Sequence, residues 1–365
     1  MSIRLNLLSI EFHLTSMSKF SNMFFASGLL MIIISCSPTK QIVLQTMEPS
    51  PVHISKKIKK IGIINRSLLQ DVKEDETGLN RIVAAEEQWL SEQGRDAALT
   101  GLFNELLKDN RFQSIKMLDS VPQALLNFDA GNDSISWESI EKICQSQNVD
   151  AIFSMSYFDA ETKVSVKKTS MLQPNLMRVK VEVPAQEITL ETLIENGWKI
   201  YYPYSNEIID EFVFNGLVVS KGKGTNPIEA YKAIEGRKDT LVEQSKSAGS
   251  NYGLRLLPYE HNVERSYFVR GTNNLDLARQ LIENGDFLGA LQLWKKEVDN
   301  PNPRIAGRAC YNMAVINEIN GNLKSAMEWA TKSHQDYNNM EALKYMDILK
   351  YRSTQNQILE QQVSR

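Results

Sequence analysis

The sequence predicts an α+β N-terminal domain, in which helices lie against a small layered sheet that ends in an antiparallel meander, followed by an all-α helical repeat domain. Three observations carry this. Short apolar runs alternate with segments of helical period between residues 57 and 158. The apolar period then changes to two. Beyond residue 272, two segments share one pattern at an offset of 36 residues. At 365 residues the chain suits two domains and a targeting segment.

The targeting segment comes first. Met23 to Ser35, MFFASGLLMIIIS, is an apolar run of thirteen residues preceded by Lys19. It is shorter than the roughly 18 residues that span a bilayer and matches the apolar region of a signal peptide. It ends in Ile33, Ile34, Ser35 and Cys36, which resembles a bacterial lipobox, with a small residue before the scissile bond and a thiol after it. The resemblance implies that residues 1–35 are removed between Ser35 and Cys36 and that Cys36 carries lipid; several acyl chains anchor firmly where one does not. Glu11 and His13 suit a signal poorly, so Met17 is the expected start of translation. The following SPTKQ has no acidic residue at the second mature position, which by lipoprotein sorting rules implies the outer membrane, facing the periplasm.

Residues 36–56 contain Pro38, Pro49 and Pro51 and read as a flexible tether, with a short strand allowed at Ile42 to Leu44. The α+β domain is expected over 57–250. Lys56, Lys57, Lys59 and Lys60 lead into a short buried strand, IGII at 61–64, and the acidic DVKEDE at 71–76 reads as a solvated loop. Leu99, Leu102, Phe103, Leu106 and Leu107 have helical spacing, FQSIKML at 112–118 is a strand, Trp137, Ile140 and Cys144 mark a second helix, and Ala151 to Phe158 a further strand. Met177, Val179, Val181 and Val183 alternate with Arg178, Lys180 and Glu182, as in a strand with one dry face. Asn196-Gly197, between LETLIE and WKIYY, reads as a two-residue hairpin turn, with Trp198, Tyr201, Tyr202 and Tyr204 clustered beside it as packing or as a ligand surface. Ile208 to Phe214 is another strand. Asn226-Pro227 opens a helix running to about Ser250, and residues 251–271 read as a connecting segment.

The repeat domain is expected over 272–365. LDLARQLIENGDFLGALQLW and YNMAVINEINGNLKSAMEWA align so that Ala278 matches Ala314, Gly285 matches Gly321 and Ala290 matches Ala326. Alanines let paired helices approach, and each glycine can close its first helix in a left-handed conformation. This resembles the tetratricopeptide repeat, whose period is near 34 residues, although Cys310 stands where an early aromatic is usual. Ala342, Tyr345, Met346 and Leu349 supply a closing helix that fades into the polar TQNQILEQQVSR. More widely, EPSPVHISKKIKKIGIINRS, NGWKIYYP, YGLRLLPY and CYNMAVINEINGN together resemble an uncharacterised lipoprotein family of Bacteroidetes, a domain-of-unknown-function family with a repeat-like C-terminus. The layer order of the first domain is similar to the small α/β module of TolB-like periplasmic proteins, an analogy of fold alone.

Composition and motifs narrow the chemistry. Of 41 basic and 44 acidic residues, 39 and 43 remain once Arg4, Lys19 and Glu11 leave with the signal, and no basic stripe suits nucleic acid. With Cys36 lipidated, Cys144 and Cys310 are expected as buried thiols. His53, His261 and His334 lie in three regions without the spacing of a zinc site, and no cofactor is expected. Ser139 with Lys142, Ser165 with Lys168 and Ser220 with Lys223 have S-x-x-K spacing but lack its companion motifs, KGKGT at 221–225 reads as a flexible turn, and no pair of acids stands out. The expectation is a non-enzymatic, membrane-anchored scaffold that holds a protein or peptide partner on its repeat helices. The alternatives are an envelope hydrolase acting on glycan or peptide, and a purely structural lipoprotein.

Overall fold

A computed structural model of the protein describes residues 38–67, 78–119, 121 and 135–363. The signal region with Ser35 and Cys36, and the acidic DVKEDE segment, lie outside the described residues. An α+β region is followed by an all-helical one, and the described residues divide into two compact units, one within 49–259 with 361–363 and the other 38–48 with 260–360.

In the α+β unit, five strands lie in the order β3-β2-β4-β5-β6. Strands β2 (Lys60–Asn65), β3 (Ser114–Met117) and the start of β4 (Ala151–Pro174) are parallel, joined through α1 (Leu79–Leu107) and α2 (Trp137–Gln147). Parallel neighbours need such crossovers. Helix α2 begins at Ser136, whose hydroxyl accepts from the Ser139 amide at 3.1 Å, and ends at Asn148 in the left-handed region. Strands β5 (Lys180–Tyr202) and β6 (Glu207–Gly224) continue antiparallel. Helices α3 (Pro227–Lys232) and α4 (Arg237–Leu254) replace the single helix expected after Asn226; Gly236, at φ 67°, separates them. Helix α4 lies so close to α1 that a Cβ on Gly249 would come 1.8 Å from the Ala98 carbonyl oxygen. The core between them and the sheet is built from Ile61, Ile63, Leu99, Leu102, Phe153, Trp198 and Tyr252.

Several local expectations are corrected. Asn196-Gly197 is not a turn but the middle of β5, paired with Phe158 and Tyr157 on β4. Gly197 is required there because the Tyr157 ring lies over it, where a Cβ would meet ring carbon at 2.4 Å, and the buried Asn196 accepts from Trp198 Nε1 at 2.6 Å. The turns fall at 175–179 and 203–206 instead, each with an asparagine or arginine at positive φ. The first four residues of KGKGT are the end of β6, where Gly222 and Gly224 let the backbone of α3 approach. Met177, Val179 and Val181 are exposed, because β4 and β5 run past the body of the sheet.

In the other unit, β1 (Thr39–Glu48) forms within the expected tether and pairs with β7 (Tyr259–Phe268), which forms within the expected connecting segment. Val269 donates to the Pro38 carbonyl at 2.9 Å at one end, and Thr46 donates to the His261 carbonyl at 3.1 Å at the other. Neither proline signal nor polarity reveals this pairing, since its partner lies more than 200 residues away. Five helices follow: α5 (Asn273–Glu283), α6 (Phe287–Glu297), α7 (Pro303–Ile319), α8 (Leu323–Gln335) and α9 (Met340–Val363). Helix α9 continues through the tail in which helical structure is expected to fade.

Candidate functional site

The equivalent residues of the two segments occupy equivalent places in two helical hairpins. Ala278 of α5 and Ala290 of α6, Ala314 of α7 and Ala326 of α8 are all completely buried, and Gly285 and Gly321 take φ of 80° and 77° between the helices of each hairpin. Asp286 and Asn322 then cap α6 and α8, accepting from Gly289 and Ser325 amides.

Helix α7 is central and buried on nearly every side, so its polar residues stand out. Asn312, with no exposure, accepts from the Phe268 amide at 2.7 Å and donates to the Phe268 carbonyl at 2.6 Å, holding both backbone groups of one strand residue. Arg308, one turn earlier, donates to the Arg270 carbonyl at 2.7 Å and lies over the Phe268 ring. Near the end of α7, the Glu318 carboxylate accepts from Arg265 Nε at 2.8 Å and Nη2 at 2.9 Å, from Arg352 Nη1 at 2.8 Å, and from the Tyr345 hydroxyl. Burial raises the carboxyl's proton affinity, but these donors outweigh it and hold the group below the usual carboxylate range. Burial and the neighbouring Glu318 charge push Tyr345 upward, so it stays a donor.

The spacing of these contacts fits a strand laid along a helix. From Arg270 to Arg265 is five strand steps, roughly 16 Å, and from Arg308 to Glu318 is ten helical steps, about 15 Å. Strand β7 therefore runs antiparallel to α7, and this face of the helix holds an extended chain. Beyond Glu318 the face opens into a cleft of about 290 Å³, lined by Leu44 to Met47 of β1, by Glu318, Ile319 and Gly321, and by Arg352, Asn356, Leu359 and Glu360 of α9.

The α+β unit has a second buried polar cluster. Glu86 accepts from Arg237 Nε at 3.3 Å and from the Tyr231 hydroxyl at 2.6 Å, while Arg237 Nη2 donates to Thr192 at 2.7 Å. These bonds tie α1, α3 and α4 to β5. The aromatic cluster is packing: Trp198 is buried and stacks on Tyr252 with centroids 5.2 Å apart, and Tyr201 is buried against Trp137, leaving only Tyr204 exposed. Ser165 with Lys168, and Ser220 with Lys223, lie three apart in strands and so point to opposite faces. Lys142 pairs with Glu138, and the Ser139 hydroxyl bonds to that of Ser136. Cys144 and Cys310 are free and buried, and burial pushes them up to about 12 and about 11. Among the described residues no group of three or more histidine, cysteine or acidic side chains could hold a metal ion, and no helix is long and apolar enough to cross a membrane.

Repeat matching and catalytic motifs do not single out Asn312, Glu318, Arg265 or Arg352. A signal is nonetheless present: Asn312 and Glu318 interrupt the apolar CYNMAVINEI, and polar residues inside a helix buried all round need internal partners.

Fold and site together define a two-unit α+β and helical protein with a strand-holding helical face. The chain belongs to the family described as Domain of unknown function (DUF8603), which matches residues 58–268. Residues 276–355 match a second, Domain of unknown function (DUF6340). A comparison with curated proteins finds no match. Among solved structures the chain is similar to the PelC dodecamer from Paraburkholderia phytofirmans, at 9% identity and a TM-score of 0.23, over 58% of this chain and 96% of that one. It is also similar to a putative neuraminyllactose-binding hemagglutinin homolog from Helicobacter pylori, at 9% identity and a TM-score of 0.23, over 54% of this chain and 81% of that one.

Proposed function

We propose that the protein is a non-enzymatic lipoprotein of the bacterial cell envelope, of the Bacteroidetes type, lipidated on Cys36 at the outer membrane and facing the periplasm. Its tetratricopeptide-like helices hold an extended segment of a partner protein or peptide. The observation that carries this reading is the Asn312 contact, in which the helical unit recognises a strand by its backbone. Because β7 already fills that part of the face, the partner enters the adjoining cleft between β1 and α9. Main-chain recognition with a few side-chain pockets is a general way of holding extended peptides.

The test uses a photo-crosslinking residue in place of Asn356, inside the cleft, in the lipidated full-length chain in cells. One discrete adduct is expected from Asn356 and none from the same residue in place of Leu288, an exposed position on α6. Identical adducts from both positions, or none from Asn356, overturn the reading. For the anchor, Cys36→Ser should abolish lipid labelling and remove the protein from the mature membrane-bound form; unchanged labelling excludes it.

A further inference from the structure

The β4–β5 ribbon outruns the sheet. Strand β6 stops pairing at Gln186, and β2 pairs with β4 only as far as Met155, so among the described residues the two strands have only each other from Thr169 with Ala185 to Pro174 with Lys180. These six pairs project roughly 20 Å. A two-stranded ribbon is marginal by itself, and polar side chains would ordinarily cover it. Here large apolar side chains stand exposed among the polar ones. Leu176 and Met177 at the tip are exposed, Met177 by 82%, and Leu172, Val179 and Val181 are exposed behind them.

The tip is a built turn. Asn175 accepts through Oδ1 from the Met177 and Val179 amides, both at 3.0 Å, and its own amide donates to the Val179 carbonyl at 2.9 Å; Arg178 takes φ of 59°. Leu176 and Met177 are thus presented at the far end of the ribbon, and cations follow them: Arg178 and Lys180 next to the tip, then Lys167 and Lys168. From Lys163 to its partner Glu191 the ribbon carries five basic residues against three acidic ones, Glu182, Glu187 and Glu191, and its free end from Thr169 to Ala185 carries Arg178 and Lys180 against Glu182, a local excess of positive charge in a chain whose net charge is −3. Apolar tip first and cations behind it is the order in which a bilayer presents acyl chains and anionic headgroups.

We infer that the tip of the β4–β5 ribbon docks on an anionic lipid surface, with Leu176 and Met177 entering the acyl boundary and Arg178 and Lys180 lying among the phosphates. Insertion is shallow, because a lone ribbon leaves open backbone edges that hydrocarbon does not satisfy. This contact is separate from any lipid on Cys36, and the readout below is local to the tip, so its failure and that of the anchor are distinguishable.

The experiment places a polarity-sensitive fluorophore on Met177→Cys in the full-length chain carrying Cys36→Ser, which removes both the third thiol and the lipid anchor, Cys144 and Cys310 being buried. Vesicles of phosphatidylcholine with phosphatidylglycerol should blue-shift the emission, and added salt should reverse the shift. Vesicles of phosphatidylcholine alone should not shift it. Each cation removed in Arg178→Gln and Lys180→Gln should raise the anionic lipid needed for half-response roughly fivefold. Both residues are exposed and outside the core, so the variants keep the fold. No shift, or an equal shift with neutral vesicles, overturns the inference. A shift that appears on concentrating the protein without vesicles, and is lost in Leu176→Ser, overturns it in favour of a second copy of the chain.

Discussion

Asn312 holds both main-chain polar groups of Phe268, accepting its amide hydrogen at 2.7 Å and donating to its carbonyl at 2.6 Å. One side chain thereby does for β7 what a neighbouring strand would do. Replacing it with alanine leaves two buried backbone groups without their partner, at a cost of about 3 kcal/mol. Urea unfolding followed by helical circular dichroism should show this loss, and the Phe268 amide should exchange hydrogen faster than in the parent. Unchanged exchange at Phe268 would show that the strand is held by other means.

Glu318 is the hub of a charge cluster rather than a surface pair. Glu318→Gln leaves Arg265 and Arg352 facing a neutral amide, which should cost about 3 to 5 kcal/mol in the helical unit. Because the folded carboxyl lies below its unfolded value, the parent's contribution from this group is complete above the unfolded range near about 4.3 and is lost as pH falls through the lowered folded value. Denaturation midpoints between neutral pH and about pH 3 should fall for the parent by an increment that Glu318→Gln lacks. Parallel curves for both proteins would count against this account.

Gly197 and Tyr157 form a pair in which only one partner can have a side chain at full size. Gly197→Ala brings a Cβ to 2.4 Å from the ring and should cost about 1 to 3 kcal/mol. In a Tyr157→Ala background the same change should cost little or be stabilising, since an alanine suits a strand better than glycine. Additive effects in the double-mutant cycle would contradict the overlap.

Cys144 and Cys310 report separately on the two units. Burial pushes both thiols upward, to about 12 and about 11, so at pH 8 neither should react with an aromatic disulfide reagent in the native protein. Modification should begin only across each unit's unfolding transition, Cys144 with the α+β unit and Cys310 with the helical unit. Rapid labelling of Cys144 or Cys310 under native conditions, located by peptide mapping, would show that its unit opens locally.

What is legible in the sequence follows from how local each signal is. The division into an α+β region and a helical region rests on periodicities within ten to twenty residues, and the strand–helix alternation up to β4 has the same origin. The Asn-Gly pair at 196 misleads because its turn chemistry is a property of two residues, whereas its place in β5 is decided by the Tyr157 ring across the sheet. The pairing of β1 with β7 is hidden for the same reason: the residues that complete each strand are distant in the chain. At the candidate site the alanine and glycine positions can be read from the 36-residue offset, since they repeat. Asn312 and Glu318 do not repeat, and their partners on β7 lie in a segment that reads as a connector.

The pairing of β1 has a bearing on attachment. Pro38 is already bonded to Val269, so under the proposed lipidation only Cys36 itself and Ser37 separate acyl chains from folded protein, at most roughly 7 Å of backbone. A unit on so short a mooring has little freedom to stand off. The helical unit would stay within a short distance of the bilayer, and a partner would have to come to that layer to be held.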